Sequence, residues 1–546
     1  MMRQLSRYMD RKTMILFALL TLLILAGSMF SIWPIRLIEG IVDLALVDAL
    51  GNISDIIIYG VIYITFHILG ALGRSSAQYL STFLQTDTGI KIQNKLYEKL
   101  LRIRLGVLQG RNSIELTNAL IEDTEFISNN LVSPITKLFS ALVSFGVGMF
   151  FMLGISWQLT LIILPCGLVT SISARIIHKK SGENIEEKRV KSNSLWKIFT
   201  EGIRGIIPIR VYRYNKKYGA LVSDASIQMK KATLAQEKLK AINLFFVSVL
   251  FMATIGIILV VSSVFVIHGI ITVGALAAIL MYNHMLIDPL IDVLDIQQDI
   301  IKLNVSLKRV QNLFTLEDDE NLDKGIVRVD SVTLEDISFS YINSESLFSN
   351  INISVSSPCN IWIKGGSGSG KTTLANIIAG LYPPTQGCAR YYFLGKCVDG
   401  VPNVSYLIQD GYLFDKSIVQ NIMIANPKIT DDKIEKLINI CHLSDVIENH
   451  GHMPIGENGS HLSGGERKRV RIAQMLANDS ADIYIFDELT SSLDEGVAFS
   501  ILKNISSLQL NKICLYIEHN TKVAPLFDRV IVVDGGHVWE QYNNID

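Results

Sequence analysis

The stretch NIWIKGGSGSGKTTLANIIAGL, residues 360–381, predicts a strand, a glycine-rich loop and a helix in that order. Its G-x-x-x-x-G-K-[ST] spacing begins at Gly365 and ends at Thr372. In such a loop, backbone N–H groups close around phosphate, the lysine neutralises the β and γ oxygens, and the hydroxyl can hold Mg2+. An accidental glycine turn is the alternative, but a strand and a helix flank the loop in the required order. The predicted phosphate-binding residues are Gly365, Gly366, Ser367, Gly368, Ser369, Gly370, Lys371, Thr372 and Thr373.

Two acidic residues end another apolar strand further along the chain. The stretch ADIYIFDELTSSLD, residues 481–494, predicts a buried parallel strand with Asp487 and Glu488 at its carboxyl end. Open α/β sheets place their chemistry at this edge. Asp487 is therefore predicted to bind Mg2+, and Glu488 to polarise an attacking water as general base. The alternative is that both are solvated carboxylates capping the strand.

The stretch HLSGGERKRVRIAQ, residues 461–474, is a second glycine-rich helix start. One such loop can already surround a triphosphate, so the role of this second anion-binding helix end, near Ser463 and Gly464, needs a separate explanation.

The first half of the chain has a different character. Of the 546 residues 49% are hydrophobic and 18% charged, and the mean hydropathy is +0.34, which is too apolar for an ordinary soluble protein. The net charge of −1 gives no support for nucleic-acid binding. Six cysteines without metal-like spacing are interpreted as reduced packing residues.

Six apolar stretches are each long enough to cross a bilayer core of about 30 Å. A signal peptide is the competing interpretation of the first, but its apolar run is too long and others follow. Basic flanking segments place both chain ends in the cytoplasm. The predicted spans are residues 13–32, 53–72, 131–155, 158–177, 245–268 and 270–287.

The two long cytoplasmic connections carry apolar residues at helical spacing among charges. They predict continuations of the membrane helices into the cytosol, with independent amphipathic helices on the membrane surface as the alternative. The fold class is thus a multi-domain membrane protein. An all-α, six-span domain with long cytoplasmic helical extensions, residues 1–320, precedes an α/β P-loop ATPase domain, residues 321–546.

The order and spacing of the phosphate loop, LSGGE at residues 462–466 and IYIFDE at residues 483–488 resemble ATP-binding cassette (ABC) proteins, and the resemblance covers the whole chain. The membrane half resembles the exporter type, in which one such chain is half a transporter. The family resemblance implies ATP and Mg2+ as cofactors. It also implies an integral protein of the bacterial cytoplasmic (inner) membrane.

Further motifs acquire roles from the same resemblance. Tyr341 matches the aromatic residue that stacks on adenine. Gln409 matches the glutamine that links the γ-phosphate and Mg2+ to the membrane domain. Asp494 ends the loop that communicates between sites, and His519 matches the histidine that contacts the γ-phosphate. The motif GENG, residues 456–459, resembles the exporter loop that senses the helices coupling the two domains.

The resemblance also explains the second glycine-rich helix start. In the family two ATPase domains pack head to tail, so Ser463, Gly464 and Gly465 face the γ-phosphate held by the other subunit's Lys371. Competent residues at all catalytic positions make a homodimer sufficient, and a heterodimer stays open. By resemblance, short coupling helices are expected near residues 121–126 and 211–215.

An acidic stripe on the predicted sixth helix is the main candidate for a substrate site. His284, Asp288, Asp292, Asp295 and Asp299 fall within an arc of roughly 80°. Such a stripe could line a cavity that attracts a cationic substrate. Alternatively, its lower aspartates lie outside the bilayer, solvated or paired with stalk Lys and Arg residues.

The sequence thus predicts ATP-driven export of an amphipathic small molecule or natural-product peptide. Three alternatives remain. The protein could be an importer with the exporter fold, for example of a siderophore; it could be a lipid flippase; or it could be a membrane-anchored regulatory ATPase. Only about a dozen residues precede the first span, so no N-terminal peptidase domain is expected. Glu518, before the motif histidine, departs from the common family pattern and is expected to slow turnover by adding negative charge near the γ-phosphate.

Overall fold

A computed structural model describes residues 11–47, 53–109, 111, 113–341, 345–409, 411–508, 511–518 and 527–541. The chain divides into two compact units. The first comprises residues 1–98 and 114–315, and the second comprises residues 99–113 and 316–546. The domain boundary after residue 320 stays a prediction.

Long helices dominate the first unit, and three of them are about fifty residues long. Short helical segments connect them. The elements in chain order are α1 (Arg11–Ile32), α2 (Ile35–Val47), α3 (Ile53–Arg102), α4 (Leu105–Gln109), α5 (Ser113–Asn118), a π-helical turn (Ala119–Asp123), α6 (Thr124–Ile155), α7 (Trp157–Arg204), α8 (Ile206–Val211), α9 (Asn215–Ile267) and α10 (Val273–Phe314).

Four helical stretches in the described part of the chain are long and apolar enough to cross a membrane: Arg11–Leu46, Ile53–Arg102, Glu115–Ile155 and Asn215–Ile267. They coincide with the predicted first, second, third and fifth spans. The predicted fourth span falls on α7, whose apolar part Trp157–Val169 is shorter, and the sixth falls on α10. The total of six spans is therefore not confirmed.

The core of the first unit is apolar and centred on α10. Tyr282 is fully buried and stacks on Phe151, with ring centroids 5.8 Å apart. The start of α10 is fixed by two side chains, since Thr272 caps it by accepting a hydrogen bond from Ala275 N and Asp43 accepts one from Gly274 N. These caps satisfy backbone donors that a helix start leaves free.

The separate short helix expected near residues 121–126 is not formed there. These residues lie in a continuous helical stretch, the π-helical turn and the first turn of α6. Asp123 is buried and pairs with Arg309 and Ser306 of α10, which holds the stretch against that helix. The short helix that follows α3 is α4, Leu105–Gln109. The second expected position, near residues 211–215, covers the end of the short helix α8 and the turn before α9, and its coupling role stays a prediction.

The described residues of the second unit form three sheets. Their strands are β1 (Ile326–Val327), β2 (Ser331–Ser340), β3 (Ser346–Ser356), β4 (Cys359–Gly365), β5 (Gln386–Phe393), β6 (Lys396–Val398), β7 (Val401–Pro402), β8 (Val404–Leu407), β9 (Ile483–Asp487), β10 (Ile513–Ile517), β11 (Arg529–Asp534) and β12 (His537–Gln541). The six-stranded sheet has the order β12-β11-β4-β10-β9-β8 and is parallel except for β12. The order β3-β2-β5-β6 forms an antiparallel sheet, and β1 pairs with β7.

Every residue of β9 and β10 is buried, as expected for central strands of a parallel sheet covered on both faces. The strands β4, β10 and β9 are neighbours, so their carboxyl ends meet at one edge. The helices of this unit are α11 (Lys371–Ile378), α12 (Ile418–Met423), α13 (Asp431–Ile440), α14 (Ser444–His450), α15 (Gly464–Leu476) and α16 (Glu495–Ser507).

An ion-pair cluster joins two segments of the second unit that are distant in sequence. Lys99 and Arg102 pair with Asp318, and Arg104 pairs with Glu317. Backbone bonds reinforce the contact, because Asp319 N donates to Arg102 O over 2.7 Å. The segment after α10 is thereby tied to the end of α3 within this unit.

Candidate functional site

The glycine-rich loop joins β4 to α11 in the predicted strand–loop–helix order. Gly370 has φ +102°, a left-handed conformation that L side chains rarely adopt, and a Cβ there would meet the ring of Phe348. Lys371 Nζ donates to the carbonyls of Gly365 (3.1 Å) and Gly366 (2.7 Å), so its ammonium lies over the loop. Burial lowers the pKa of Lys371, while the nearby carboxylates of Asp487 and Glu488 oppose that shift.

A buried hydroxyl of the loop fits a phosphate ligand. The Ser369 Oγ atom is buried and, within the residues described, has no hydrogen-bond partner. Buried polar atoms are almost always satisfied, so an unpartnered hydroxyl in a glycine-rich loop is best explained by a ligand that accepts its hydrogen bond. The loop residues therefore suit the phosphates of a nucleotide.

Two oxygen ligands suitable for Mg2+ meet at the carboxyl edge of the sheet. Thr372 Oγ1 donates to Asp487 Oδ2 over 3.0 Å, and the Tyr406 hydroxyl lies 3.5 Å from the same oxygen. Asp487 is 3% exposed, and burial raises its pKa while the Thr372 hydrogen bond opposes the rise. Hydroxyl and carboxylate oxygens are ligands that Mg2+ accepts, so these residues fit the ion.

Glu488 occupies a constrained turn directly after β9. Its φ is +52°, in the left-handed region, which costs a non-glycine residue about 1 kcal/mol. Its backbone N–H donates to Ile517 O (2.9 Å), and its carbonyl accepts from Ser491 N (3.1 Å) and Ser491 Oγ (2.8 Å). These bonds hold the strained turn. Glu488 directly follows Asp487, whose carboxylate accepts the hydrogen bond from Thr372 beside Lys371.

Two further charged residues, Lys468 and Glu518, are buried near this edge, and only Glu518 was singled out from the sequence. Lys468 of α15 is 3% exposed, and its Nζ lies 3.5 Å from Asp487 O. Glu518 is 4% exposed and accepts hydrogen bonds from the backbone N–H and the hydroxyl of Thr490. In the sequence Lys468 stands within a run of charged residues that reads as an exposed helix surface. Its spacing of four residues from Ile472 is the one signal that it lies on the buried face of the helix.

The predicted adenine-stacking residue lies close to the phosphate loop. The Tyr341 hydroxyl and Thr373 Oγ1 are 2.7 Å apart, and the Tyr341 ring packs edge-on against Phe339 and Tyr382. Gln409 follows β8 and is exposed, and its carbonyl accepts from Arg471 Nη1 over 3.2 Å. The nucleotide roles of Tyr341 and Gln409 stay predictions.

The second glycine-rich helix start is a capping box. Ser463 Oγ accepts from Glu466 N (3.3 Å), and Glu466 Oε2 accepts from Ser463 N (2.7 Å). The hydrogen bond from the Ser463 backbone lowers the pKa of Glu466. The S-x-x-E spacing of residues 463–466 could have predicted this cap from sequence alone.

The structure therefore assembles part of the predicted site. Lys371, Thr372, Asp487 and Glu488 meet at one edge of the sheet. Among the described residues no hydrogen bond joins Ser463 or Gly464 to the phosphate loop. Gly465 lies beside the Ser492 carbonyl, and Asp494 is the exposed N-cap residue of α16. His519 lies outside the described residues.

The predicted cavity residues lie on α10 in the first unit. His284 Nδ1 is 3.7 Å from Asp288 Oδ2, and both side chains are more than half exposed. The His284 ring lies against Phe251, with centroids 4.7 Å apart, and Asp292 is exposed. Asp299 pairs with Lys137 of α6, as the stalk-pairing alternative predicted, whereas the side chain of Asp295 lies outside the described residues.

Two family sequence models match consecutive parts of this chain. The family described as "ABC transporter transmembrane region" matches residues 13–290. The family described as "ABC transporter" matches residues 348–491, which include the phosphate loop, residues 462–466 and the Asp487–Glu488 pair.

Characterised relatives align over most of the chain. The lactococcin-G-processing and transport ATP-binding protein of Lactococcus lactis subsp. lactis is 26% identical, covering 93% of this chain and 73% of the relative. The ATP-dependent lipid A-core flippase of Wigglesworthia glossinidia brevipalpis is 25% identical, covering 87% and 84%. The alpha-hemolysin translocation ATP-binding protein of Escherichia coli is 26% identical, covering 85% and 67%.

A solved structure shares the fold along nearly the whole chain. A bacterial Atm1-family ABC exporter with ATP bound superimposes with a TM-score of 0.82 and 18% sequence identity, covering 98% of this chain and 96% of the other. At this identity the likeness concerns the fold.

Proposed function

The chain belongs to the ABC transporters, as an exporter-type half-transporter that couples ATP hydrolysis to transport, and we propose that it exports an amphipathic small molecule or a natural-product peptide. The observation that carries the ATP chemistry is the Thr372–Asp487 hydrogen bond beside Lys371, in a chain that also carries membrane-spanning helices. The names of the relatives support the proposed direction and class of cargo.

A peptide cargo has the stronger support from the relatives. One relative processes and transports lactococcin G, and another translocates alpha-hemolysin. These names support the proposal of a peptide cargo that combines apolar surface with polar groups.

In the proposed reaction, the phosphate loop and Lys371 bind and orient the triphosphate of ATP. Thr372, Asp487 and Gln409 would hold Mg2+, which neutralises phosphate charge when bound. Glu488 orients the attacking water and accepts its proton, and Tyr341 stacks on the adenine. His519 contacts the γ-phosphate in this proposal, by family resemblance.

The active form in this proposal is a homodimer with two composite ATP sites. Ser463, Gly464 and Gly465 of one subunit complete the site around the other subunit's Lys371, and Asp494 communicates between the sites. This assignment explains two features of the start of α15. Gly464 is exposed there, and among the described residues it makes no bond to the phosphate loop of its own subunit, so the helix start is free to bind a partner's nucleotide. ATP binding then favours the closed dimer, and hydrolysis reopens it.

The decisive experiment is ATPase activity of the purified protein in lipid nanodiscs, with small peptides, cationic drugs, siderophores and lipids added in turn. Glu488→Gln serves as the blank. Stimulation by a peptide, followed by its ATP-dependent uptake into inside-out vesicles, supports export. Uptake into right-side-out vesicles identifies an importer, and ATPase activity that no cargo alters favours a regulatory role.

A lipid flippase is the second candidate, because one relative is an ATP-dependent lipid A-core flippase that aligns with 87% of this chain. Fluorescent lipids in proteoliposomes test this directly. ATP-dependent loss of dithionite-accessible lipid from one leaflet, without peptide uptake, would replace the peptide proposal.

A further inference from the structure

Glu518 is a buried carboxylate at the carboxyl end of β10 to which the proposed reaction assigns no role. It is 4% exposed and both of its oxygens are used, since Oε1 accepts from Thr490 N over 3.0 Å and Oε2 accepts from Thr490 Oγ1 over 2.7 Å. Charged hydrogen bonds of this length are among the strong ones in proteins. The carboxylate therefore binds Thr490, in the turn that follows β9, through two hydrogen bonds.

The backbone around Glu518 is itself anchored to both neighbouring strands. Trp362 Nε1, from β4, donates to Glu518 O over 3.0 Å. On the other side, Glu488 N donates to Ile517 O over 2.9 Å. Glu518 is thus tied through its carbonyl to β4, which leads into the phosphate loop, and through its side chain to the turn that follows β9.

The turn to which Glu518 is hydrogen-bonded contains the proposed general base, Glu488. Glu488 has φ +52°, a conformation that persists in a non-glycine residue only when its surroundings hold it. Ser491 fixes the carbonyl of Glu488 from within the turn. The two bonds to Thr490, two residues after Glu488, fix the turn from outside.

A buried ammonium lies near the same carboxylate. Lys468 of α15 opposes the effect of burial on the pKa of Glu518, and its Nζ lies 3.5 Å from Asp487 O. This positive charge offsets the cost of burying two carboxylates, those of Asp487 and Glu518. Glu518 therefore has the partners that a buried charge needs.

We propose that Glu518 is a positioning residue for ATP hydrolysis. Through its two hydrogen bonds to Thr490 it holds the 488–490 turn in the conformation that keeps Glu488 beside Asp487, whose carboxylate accepts from Thr372. The inference rests on the proposed role of Glu488 as general base. It differs from the expectation that Glu518 adds negative charge at the γ-phosphate, because its carboxylate bonds to Thr490 instead.

A double-mutant cycle on the full chain in nanodiscs tests this inference. Glu518→Ala removes both bonds, Thr490→Val removes the hydroxyl bond, and Thr490→Ser keeps it. We expect kcat to fall about tenfold in the first two variants, with the Kd for ATP within about twofold of wild type. The double variant should be no slower than Glu518→Ala, and Thr490→Ser should stay within about twofold of wild type.

Controls separate positioning from a general loss of structure. Glu335→Gln alters a carboxylate of β2 that pairs with Arg390, and should leave kcat unchanged. Thermal midpoints of all variants identify any that fail to fold, and the Thr490 pair still decides the matter if Glu518→Ala does not fold.

Three results would overturn the inference: an unchanged kcat in both Glu518→Ala and Thr490→Val, multiplicative losses in the double variant, or equal losses in Thr490→Ser and Thr490→Val. A wild type without ATPase activity would instead refute the proposed function, and this inference with it.

Discussion

The hydroxyl of Thr372 donates a hydrogen bond to Asp487 over 3.0 Å, although 115 residues separate the two in sequence. Thr372 lies in the first turn of α11 and Asp487 ends β9, so the contact brings together the phosphate loop and the acidic pair. Because β10 lies between β4 and β9 in the sheet, this meeting depends on the strand order and not on either motif alone.

Replacing Thr372 by valine keeps the side-chain shape and removes the hydroxyl. We expect Thr372→Val to bind ATP in the presence of Mg2+ about tenfold more weakly than wild type, because one ligand to the ion is lost. Chelating Mg2+ with EDTA should weaken ATP binding by wild type and change little in the variant. Thr372→Ser, which restores the hydroxyl, should respond to EDTA as wild type does. Equal EDTA responses in the valine variant and wild type would contradict a metal role for Thr372.

Glu488→Gln retains the shape of the side chain but cannot accept the proton of the attacking water. We expect kcat for ATP to fall about 100-fold or more, while ATP binding persists and accumulates the closed dimer. Turnover by colorimetric phosphate release and dimer content by crosslinking measure the two effects. Glu335→Gln is the matched control, since it changes a carboxylate of the antiparallel sheet. Rapid hydrolysis by Glu488→Gln would remove Glu488 from the role of general base.

Burial raises the pKa of Glu518 above its ordinary value of 4.5, against the opposing effects of the Thr490 bonds and Lys468. The folded protein then binds this proton more readily than the unfolded chain, so the stability that Glu518 contributes falls as pH rises from 4.5 through the raised pKa. Glu518→Gln removes the titration. The thermal midpoint of wild type, relative to this variant, should therefore fall across that window and then become constant. A difference independent of pH between 4.5 and about 8 would contradict the shift.

Asp123 in the first unit depends on Arg309 for its charge partner, with 2.8 Å between Oδ1 and the guanidinium, and on Ser306 for a hydrogen bond. Arg309→Leu leaves this buried carboxylate with one partner. We expect a loss of about 1 to 2 kcal/mol, less than for a fully buried pair because Arg309 is half exposed. The Asp123→Asn/Arg309→Leu double variant should recover part of the thermal midpoint. Equal midpoints in the single and double variants would show that the ion pair contributes nothing.

How far the sequence predicts this molecule depends on how local each signal is. The glycine spacing of residues 365–372 and the apolar run before Asp487 are short-range patterns, and each gave the correct local structure. The two hydrogen bonds between Glu518 and Thr490, and the burial of Lys468, depend on strand order and packing, which no local pattern encodes. The short coupling helix expected near residues 121–126 was misplaced for the same reason, since that stretch is part of a continuous helix whose Asp123 pairs with Arg309 of α10.

In the membrane half, too, a local sequence pattern predicts part of the structure and leaves the rest open. Apolar length predicted the helices that contain residues 13–32, 53–72, 131–155 and 245–268. The total of six stays unconfirmed, because α7 has only a short apolar part among the described residues and α10 is not among the four stretches long and apolar enough to cross a membrane. Within its predicted span α10 carries the polar residues Asn283 and His284. Hydropathy does not predict a span reliably where a helix carries polar residues, and polar residues within the membrane are also the ones that contact a transporter's substrate.

The exposed His284–Asp288 pair on α10 leads to the last prediction, which concerns cargo. If Asp288 attracts a cationic cargo, Asp288→Asn should raise the KM for that cargo about tenfold and leave neutral cargo unchanged, because only the charge is lost. Asp299→Asn is the matched control on the same helix, since Asp299 already pairs with Lys137 and should not influence selectivity. Both variants are compared in vesicle transport at equal expression. A parallel change for cationic and neutral cargo, or none for either, would leave Asp288 a solvated helix residue and would move the search for the substrate site to other parts of the membrane unit.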